Sequence, residues 1–502
     1  MNPPTHHSHR RLVLKYAIAS RLLLLGLILL WRSLLSPYDT SASINPPCLS
    51  VGDGDDVVSP NPLFPGVASA LEDSIVWDSV YFVRIAQCGY EYEQSYAFFP
   101  LLPICMPLLS RTVFAPLVPL IGQRAVLGLS GYVLNNVAFV FAALFLYRLS
   151  VHVLDDPEVA LRASILFCFN PASIFYSSIY SESLYALLTV SGVYYLLIGG
   201  DNVATLCFAL SGAARSNGML NAGYICFLTM HQAYETIFLK KHSVLALQVF
   251  VSGAFRCLCI FIPFFAFQAY GYLNICRGHA EDDLRPWCKG KIPLLYDYIQ
   301  SHYWGVGLLR YFQVKQLPNF LLASPILSLA VCSIVHYAKM WPTVFLSLGF
   351  KSNPAREDMS LSFSQGANAE LKTMSSLGSE SSSALQETPT VRRRKFLSKR
   401  WSSDKNISER SQNMSSEDHF TLPVIILPFI LHLGFMAATA FLVMHVQVAT
   451  RFLSASPPLY WFASHIMITP AVGKRWGYLM WGYCASYILL GSLLFSNFYP
   501  FT

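Results

Sequence analysis

The chain has 502 residues, of which 54% are hydrophobic and only 13% are charged, and its mean hydropathy is +0.43. Because an ordinary soluble domain carries about 25% charged residues, this composition excludes a string of soluble domains and predicts an all-α polytopic membrane protein. The formal net charge of +7 is concentrated at the N-terminus and in one polar segment, so it indicates membrane topology rather than nucleic-acid binding.

Apolar stretches that are long enough, or nearly long enough, to cross a bilayer follow one another along the chain. The first has a basic start and no small-residue cleavage site behind it, so we interpret it as a signal anchor with a cytosolic N-terminus. The pattern predicts about eleven spans, within a range of about nine to thirteen. The predicted spans are 12–35, 125–149, 159–178, 182–199, 202–214, 217–238, 244–270, 318–339, 421–447, 456–471 and 476–497.

Segment 99–121 is apolar but is not counted among these spans. It contains five prolines, which make a straight spanning helix unfavourable. Crossing counts made from the two ends of the chain agree only if this segment does not cross. We therefore predict a re-entrant or interfacial piece.

The polar segments divide the chain into three regions. Residues 1–350 are predicted to form a membrane bundle with luminal loops at 36–98 and 271–317. Segment 351–418 carries seventeen serines and the basic run RRRKFLSKR, so we predict a disordered cytosolic insert. Residues 419–502 are predicted to supply the C-terminal helices of the same bundle.

Asp78 is the polar residue with the clearest functional signal. It follows Trp77, and in a helix its neighbours at +3, +4 and +7 are Tyr81, Phe82 and Ile85, which places the carboxylate on an apolar face. Such surroundings raise the pKa of a carboxyl group, as a general base requires. The structural alternative is a solvated helix end beside an interfacial tryptophan.

Other charged and polar residues are predicted to lie at the luminal face. Each ionisable group at membrane depth costs about 2.5–3.5 kcal/mol on insertion scales, so each is a candidate functional group. Structural interpretations also exist, namely helix capping for Glu182, a tight turn for Asn217 and an interfacial anchor for His445. Arg21, inside the first span, is expected to snorkel to the interface or to face the bundle, and the functional alternative is a phosphate partner or a buried ion pair. The luminal candidates are Asp78, Arg84, Glu182, Arg215, Asn217, His445, Gln447 and Arg451.

The two luminal loops carry further candidate features. The acidic stretches DGDD at 53–56 and EDD at 281–283 could bind a divalent cation, but a solvated loop is the favoured interpretation and no metal site is predicted. Each loop also holds two cysteines that could form a disulfide in an oxidising compartment, although sequence does not fix the pairing. The candidate pairs are Cys48–Cys88 and Cys276–Cys288.

Two classes of function fit these features. One is a transferase that acts on lipid-linked substrates at the luminal face, and the other is a membrane transporter. A transporter is expected to show internal repeats with paired broken helices near the midplane. We find no repeat between the two halves, and the polar groups cluster at one face, which favours an enzyme. No P-loop, GxGxxG or HExxH motif is present on the cytosolic side.

Several of these luminal stretches resemble the GPI mannosyltransferase II family, also called the phosphatidylinositol-glycan class V family. The resemblance covers nearly the whole chain, and the serine-rich insert 351–418 is longer than the family leads us to expect. The stretches that carry it are WDSVYFVRIAQCGYEYEQSYAFFP, NPASIFYSSIYSESLYALLT, ARSNG, PWC with IPLLYDYIQSHYWGVGLLRYFQVKQLPNFLLASP, and MHVQVATRFLSASPPLYWF.

The resemblance implies a GT-C type glycosyltransferase of the endoplasmic reticulum membrane with its active site in the lumen. The donor would be dolichyl-phosphate mannose, the acceptor the first mannose of the GPI precursor, and the product an α-1,6-linked second mannose. No cofactor is implied, no nucleic acid is a partner, and an accessory membrane subunit is a candidate partner.

The same resemblance implies a role for Asp78, and the chemistry of the implied reaction suggests roles for the other luminal residues. Family members carry a catalytic acidic residue in the first luminal loop, and Asp78 stands at that place. Arg215 and Arg451, with His445 behind them, are the candidate cations for the phosphate leaving group. Glu182 is expected to orient a substrate hydroxyl or Arg215. The remaining substrate-binding candidates are Trp77, Arg84, Asn217 and Gln447.

Two alternatives to this assignment stay open at the level of sequence. A GT-C mannosyltransferase of the same architecture could act on another lipid-linked or protein acceptor. A non-catalytic partner subunit would tolerate the loss of Asp78.

Overall fold

The computed structural model describes residues 6–39, 45–49, 62–277, 284–350, 422–469 and 473–499. Within these ranges the secondary structure is helical and no strand forms, which confirms the predicted all-α fold class. The helices are α1 His6–Leu34, α2 Pro65–Glu72, α3 Asp78–Cys88, α4 Leu101–Arg111, α5 Val118–Ile121, α6 Gln123–Leu154, α7 Pro157–Cys168, α8 Ser173–Ser177, α9 Glu182–Leu197, α10 Asp201–Ala214, α11 Ala222–Tyr234, α12 Ser243–Ile275, α13 Leu295–His302, α14 Leu317–Met340, α15 Pro342–Leu346, α16 Leu422–Leu442, α17 Ala449–Leu453, α18 Pro457–Ile468 and α19 Gly473–Ser496.

Six helices of the described ranges are long and apolar enough to cross a membrane, or up to seven if one bent pair counts as a span. The six are α1, α6, α12, α14, α16 and α19. Five of the predicted spans instead correspond to helices of 12–16 residues, α7, α9, α10, α11 and α18. Even 16 residues rise only about 24 Å, less than the hydrocarbon core of about 30 Å. The count of eleven therefore stays a prediction.

An interruption of the helix explains why one of these helices is short. The apolar stretch 159–178 forms α7 and α8, which are separated at Asn170 and Pro171. The Asn170 side chain accepts from the amide of Ala172 and donates to the carbonyl of Phe167, so it closes the turn that ends α7. A hydropathy window does not register this interruption.

The proline-rich segment 99–121 is divided as well. Helix α4 and the following helical stretch Ala115–Ile121 are bent by 71° across a short break. The segment is therefore not a straight spanning helix, as its prolines predicted. Its assignment as a re-entrant or interfacial piece stays a prediction.

Helix α6 is the central element of the bundle and packs against α1, α4, α7 and α9. Two of its glycines permit a close approach to the residues next to the charged site. A Cβ atom at Gly131 would lie 2.7 Å from a side-chain carbon of Ile179, and one at Gly128 would lie 3.3 Å from Ile75. Because Ile75 and Ile179 closely precede Asp78 and Glu182 in the chain, this packing fixes where those two carboxylates stand.

Arg21 faces the interior of the bundle rather than snorkelling to the interface. Its side chain is only 3% exposed and donates to the carbonyl oxygens of Cys168 and Ser173 and to the hydroxyl of Ser177. The guanidinium carbon also lies 3.7 Å from the centroid of the Phe139 ring. Arg21 therefore joins α1 to α6 and to the α7–α8 connection, and these contacts account for its presence in an apolar helix.

Three predicted features lie outside the described residues. They are the disordered insert at 351–418 and the acidic stretches at 53–56 and 281–283.

Candidate functional site

Four charged residues from distant parts of the chain meet at one end of the bundle. Asp78 begins α3 and Glu182 begins α9, where the helix dipole favours a carboxylate. Arg215 directly follows α10, and Arg451 lies in α17. Since α9 and α10 are consecutive helices packed side by side, the start of one and the end of the other lie together.

These four side chains form a continuous chain of ion pairs. Nε of Arg451 donates to Oε1 of Glu182 at 2.8 Å, and its Nη1 and Nη2 both donate to Oδ2 of Asp78 at 3.3 Å. Arg215 pairs with the same Oε1 of Glu182 through Nη1. Arg451 therefore bridges the two carboxylates, and Glu182 bridges the two arginines.

The four side chains of the cluster differ in solvent exposure: Asp78 is the most accessible, and Glu182 is buried. The Asp78 side chain is 34% exposed and the Arg451 side chain 18%, whereas that of Glu182 is 2% exposed. A substrate can reach Asp78 most easily, and Glu182 lies beneath the arginines that it holds. The ion pairs to Asp78 and Glu182 hold both arginines in place before a phosphate binds, and the formal charges of the four groups cancel.

The environment of Asp78 acts on its pKa in two directions. Desolvation raises the pKa of the carboxyl above its ordinary value, Arg451 lowers it, and the negative charge of Glu182 raises it again. The net result is a raised pKa. A carboxyl with this property is a better proton acceptor than an ordinary surface aspartate.

Tyr180 holds both partners of the accessible pair, and the sequence analysis missed it. Its hydroxyl oxygen accepts from the backbone N–H of Asp78 at 3.1 Å. Its ring also lies 5.0 Å from the guanidinium carbon of Arg451, and the Phe175 ring lies 4.8 Å from the same atom. The only sequence signal was its position two residues before Glu182, in the stretch NPASIFYSSIYSESLYALLT.

Trp77 fixes the start of α3 through its backbone conformation and its contacts near the C-terminus, and its role in substrate binding stays a prediction. Its backbone has φ 54°, a left-handed conformation that a bulky residue rarely adopts and that costs about 1–3 kcal/mol. The indole N–H donates to the carbonyl of Phe495 at 3.2 Å, and the ring packs on Phe498. Contacts with the C-terminal helix thus hold Trp77 in the strained conformation that directs Asp78 into the cluster.

Arg215 is positioned by a tight turn at the end of α10. The amide of Gly218 donates to the carbonyl of Arg215, and a Cβ atom at Gly218 would lie 2.2 Å from backbone atoms of Ser211. Only glycine allows this approach. Asn217 is buried in the same turn, and within the described part of the chain its Oδ1 has no hydrogen-bond partner.

His445 and Gln447 are not part of the ion-pair chain. Nε2 of His445 lies 2.8 Å from the carbonyl oxygen of Trp304, and its ring stacks on Tyr311. The Tyr311 hydroxyl donates to Gln447. His445 and Gln447 lie just before α17, the helix that contains Arg451. Their contacts with Trp304 and Tyr311 hold segment 303–316 against this part of the chain.

Arg84 is likewise directed away from the ion-pair chain. It pairs with Glu91 at 2.6 Å and donates to the carbonyl oxygens of Pro46 and Pro47. A disulfide between Cys48 and Cys88 lies beside it, and a second one joins Cys276 to Cys288. Arg84 and the first disulfide therefore fasten residues 45–49 to α3.

Glu93 links the two predicted luminal loops, which the sequence did not reveal. One of its carboxylate oxygens accepts from the indole N–H of Trp287 at 2.7 Å, and the other accepts from the hydroxyl of Tyr303 at 2.7 Å. Because Trp287 adjoins the disulfide at Cys288, these bonds hold the second loop over the first.

The fold and this site define a polytopic membrane protein in which two carboxylates and two guanidinium groups are paired at one end of the bundle. The chain matches the mannosyltransferase (PIG-V) family over residues 10–502 and therefore belongs to that family. The resemblance seen in the sequence is thereby confirmed.

Individual relatives agree with this assignment. The chain is 30% identical to GPI alpha-1,6-mannosyltransferase 2 of Mus musculus and 29% identical to the protein of the same name of Homo sapiens, covering 91% of this chain in both cases and 83% and 84% of the relatives. It is 28% identical to GPI mannosyltransferase 2 of Drosophila melanogaster, covering 85% of this chain and 86% of that one. No solved structure matches the chain significantly, so the GT-C type of the bundle stays a prediction.

Proposed function

We propose that this protein transfers the second mannose of the GPI anchor. The donor is dolichyl-phosphate mannose, the acceptor is the first mannose of the GPI precursor, and the new linkage is α-1,6. Family membership and the names of the relatives support mannose transfer to a GPI precursor through an α-1,6 linkage, and dolichyl-phosphate mannose as donor is consistent with the family. The observation that carries the mechanism is the ion-pair chain from Asp78 through Arg451 and Glu182 to Arg215.

Asp78 is the proposed general base. Its carboxylate takes the proton from the 6-hydroxyl of the acceptor mannose while that oxygen attacks the anomeric carbon of the donor. The new bond forms as the bond from the anomeric carbon to the phosphate oxygen breaks. Because the donor is β-linked and the product α-linked, a single inverting displacement accounts for the stereochemistry.

The electron pair of the broken bond leaves with dolichyl phosphate, and the proposed site stabilises that charge with its arginines. Phosphate is a good leaving group, so no general acid is needed, and a fixed guanidinium suits its oxygens. Arg451 is the first candidate because it already contacts Asp78. Arg215 is the second, and in the described side chains only its Nη1 takes part in an ion pair.

Glu182 is proposed to act through the arginines and not on the substrate. Its single oxygen Oε1 contacts both guanidinium groups, which fixes their separation. With two arginines held in this way, we propose that the reaction requires no resident metal ion. The protein is further proposed to lie in the endoplasmic reticulum membrane with this site in the lumen and its N-terminus in the cytosol.

The reaction is tested by measuring transfer with purified wild-type protein. We expect mannose to move from dolichyl-phosphate mannose to a GPI precursor that carries one mannose, and we expect product digestion to report an α-1,6 linkage. A lipid-linked N-glycan precursor serves as the competing acceptor. Transfer to that precursor but not to the GPI precursor would overturn the proposed acceptor, and transfer to neither would contradict the proposed enzyme.

The pH dependence of the turnover number tests the base. Asp78 is active when deprotonated, so activity is present above its pKa and is lost as the pH falls through it. Because that pKa is raised, we expect the acid limb to lie above the value of about 3.9 that is typical of aspartate. A turnover number that stays constant down to about pH 4 would contradict a desolvated Asp78 as the base.

A further inference from the structure

A deep apolar groove lies between α1, α2 and α6, beside the candidate site. Its cavity volume is about 800 Å³. Apolar side chains form most of its lining, and Val137 and Phe141 of α6 and Leu22 and Leu29 of α1 are exposed along it. The groove therefore opens on the lipid-facing side of two helices that are long enough to cross the membrane.

The groove has the length of a lipid chain segment. Its lining runs from Ile18 to Leu29 on α1 and from Leu129 to Phe141 on α6. At 1.5 Å per residue these stretches correspond to about 16 Å and about 18 Å. Helix α2 lines the groove with Gly66, Val67, Ala70 and Leu71, and an added Cβ atom at Gly66 would meet nothing within 4 Å. The space suits several consecutive isoprene units with their methyl branches.

The part of the groove lined by α2 and Ser74 lies next to the charged site. Ser74 lines the groove and precedes Asp78 by four residues, so even a fully extended chain separates them by no more than about 14 Å. Two groove residues also bond to backbone next to the site: Tyr132 donates to the carbonyl of Ser74 at 2.9 Å, and Asn136 donates to that of Ser177 at 3.0 Å. The groove wall and the Asp78 cluster thus form one packed unit.

We propose that this groove binds the isoprenoid chain of the donor lipid, an inference that rests on the proposed function. In the donor, the chain begins at the phosphate, which is bonded to the reacting anomeric carbon. In the acceptor, the glycan and a phosphate separate the acyl chains from the reacting hydroxyl. The lipid nearest to Asp78 during the reaction is therefore the donor chain, and the groove is the apolar surface that leads away from Asp78 into the membrane.

The groove contributes to donor binding through packing rather than through the hydrophobic effect. A bilayer solvates an isoprenoid chain about as well as leucine and valine side chains do, so burial in the groove gives little hydrophobic gain. Its contribution comes from packing and from fixing the direction in which the phosphate approaches Arg451. We therefore expect filling the groove to raise the KM for a long-chain donor about fivefold, the effect of roughly 1 kcal/mol of lost packing.

Substitutions on the two walls test the proposal. Val137→Trp fills the α6 wall, and Ala70→Trp fills the α2 wall if the first variant does not fold. Val331→Trp is the matched control, because Val331 is 54% exposed on α14 and Val137 is 48% exposed on α6, and only Val137 lines the groove. Each purified variant is assayed with dolichyl-phosphate mannose and with mannosyl phosphate on a chain of two isoprene units.

The groove variants should raise the KM for the long-chain donor and leave that for the short-chain donor unchanged, while Val331→Trp behaves as wild type. An unchanged KM for the long donor in both groove variants, or an equal change in the control, would overturn the proposal. So would a rise in the KM for the acceptor alone, which would assign the groove to acyl chains. Absence of transfer by the wild type with dolichyl-phosphate mannose would instead contradict the proposed function.

A labelling experiment gives a readout that does not depend on activity. Wild-type protein in liposomes is irradiated with a photoreactive polyprenyl phosphate, and the modified peptides are identified by mass spectrometry. Labelling of peptides from α1, α2 and α6, reduced in Val137→Trp but not in Val331→Trp, is the expected result. Labelling confined to other helices would overturn the proposal.

Discussion

Asp78→Asn is expected to lower the turnover number by about 10²–10⁴-fold, the contribution of a positioned general base. Asparagine keeps the size of the side chain and its ability to accept a hydrogen bond from Arg451, but it cannot take a proton from the acceptor hydroxyl. The KM for the donor should change little, because the arginines remain. The measurement is the initial rate of mannose transfer at saturating donor and acceptor.

Asp73→Asn is the matched control for this substitution. Asp73 is an exposed carboxylate five residues upstream, and its Oδ2 accepts from the hydroxyl of Ser69 at 3.3 Å, outside the ion-pair chain. We expect it to retain wild-type rates.

In cells that lack the second GPI mannosyltransferase, the Asp78→Asn variant, made at normal levels, should not restore surface GPI-anchored proteins. Full restoration would refute Asp78 as the base and redirect attention to Glu72 or Glu182.

The sequence was sufficient to single out Asp78, because its surroundings are local. The apolar neighbours at helical spacing are real: α3 begins at Asp78, and Phe82 and Ile85 are buried on it. Composition and apolar stretches were likewise sufficient for the fold class, since a bilayer allows only helices or closed barrels to cross it.

The partners of Asp78 were not predictable in the same way. Arg451 lies 373 residues further along the chain and Glu182 lies 104 residues further, so their contacts depend on how whole helices pack. Counting crossings predicts the membrane face on which a residue lies but not its lateral position on that face. His445, Gln447 and Arg84 show this limit, since they were grouped with Asp78 by predicted side and instead hold loop segments.

Tyr180 and the short helices were missed for a related physical reason. A tyrosine in an aromatic, apolar stretch has no local feature that distinguishes a core residue from one whose hydroxyl accepts a bond from the backbone of the base. In the same way, the hydropathy of 159–178 is continuous across Asn170 and Pro171, although the backbone turns there. Hydropathy indicates whether a segment lies in lipid or in water. The course of its backbone depends on turn-forming residues and on packing.

Arg451→Lys is expected to lower the turnover number by about 10²–10³-fold, as the loss of one preorganised donor to a developing negative charge does elsewhere. Arg451 contacts Glu182 through Nε and Asp78 through both terminal nitrogens, and its plane lies near the Phe175 and Tyr180 rings. The single ammonium of lysine cannot bridge the two carboxylates in this way. The charge is kept, so the comparison isolates geometry.

Arg215→Lys and a double variant separate this role from a structural one. Arg215 pairs with Glu182 alone among the described carboxylates, so its replacement by lysine should lower the turnover number only about tenfold, closer to the loss of one ordinary charge-assisted hydrogen bond.

If Asp78 and Arg451 act as a unit, the double variant Asp78→Asn with Arg451→Lys should lose much less activity than the product of the two single losses. Thermal stability in detergent is measured alongside, because a purely structural Arg451 would lower the melting temperature while the folded fraction kept its turnover number. An Arg451→Lys variant that retains its rate within about threefold would refute Arg451 as the cation at the leaving phosphate and would favour Arg215 in that role.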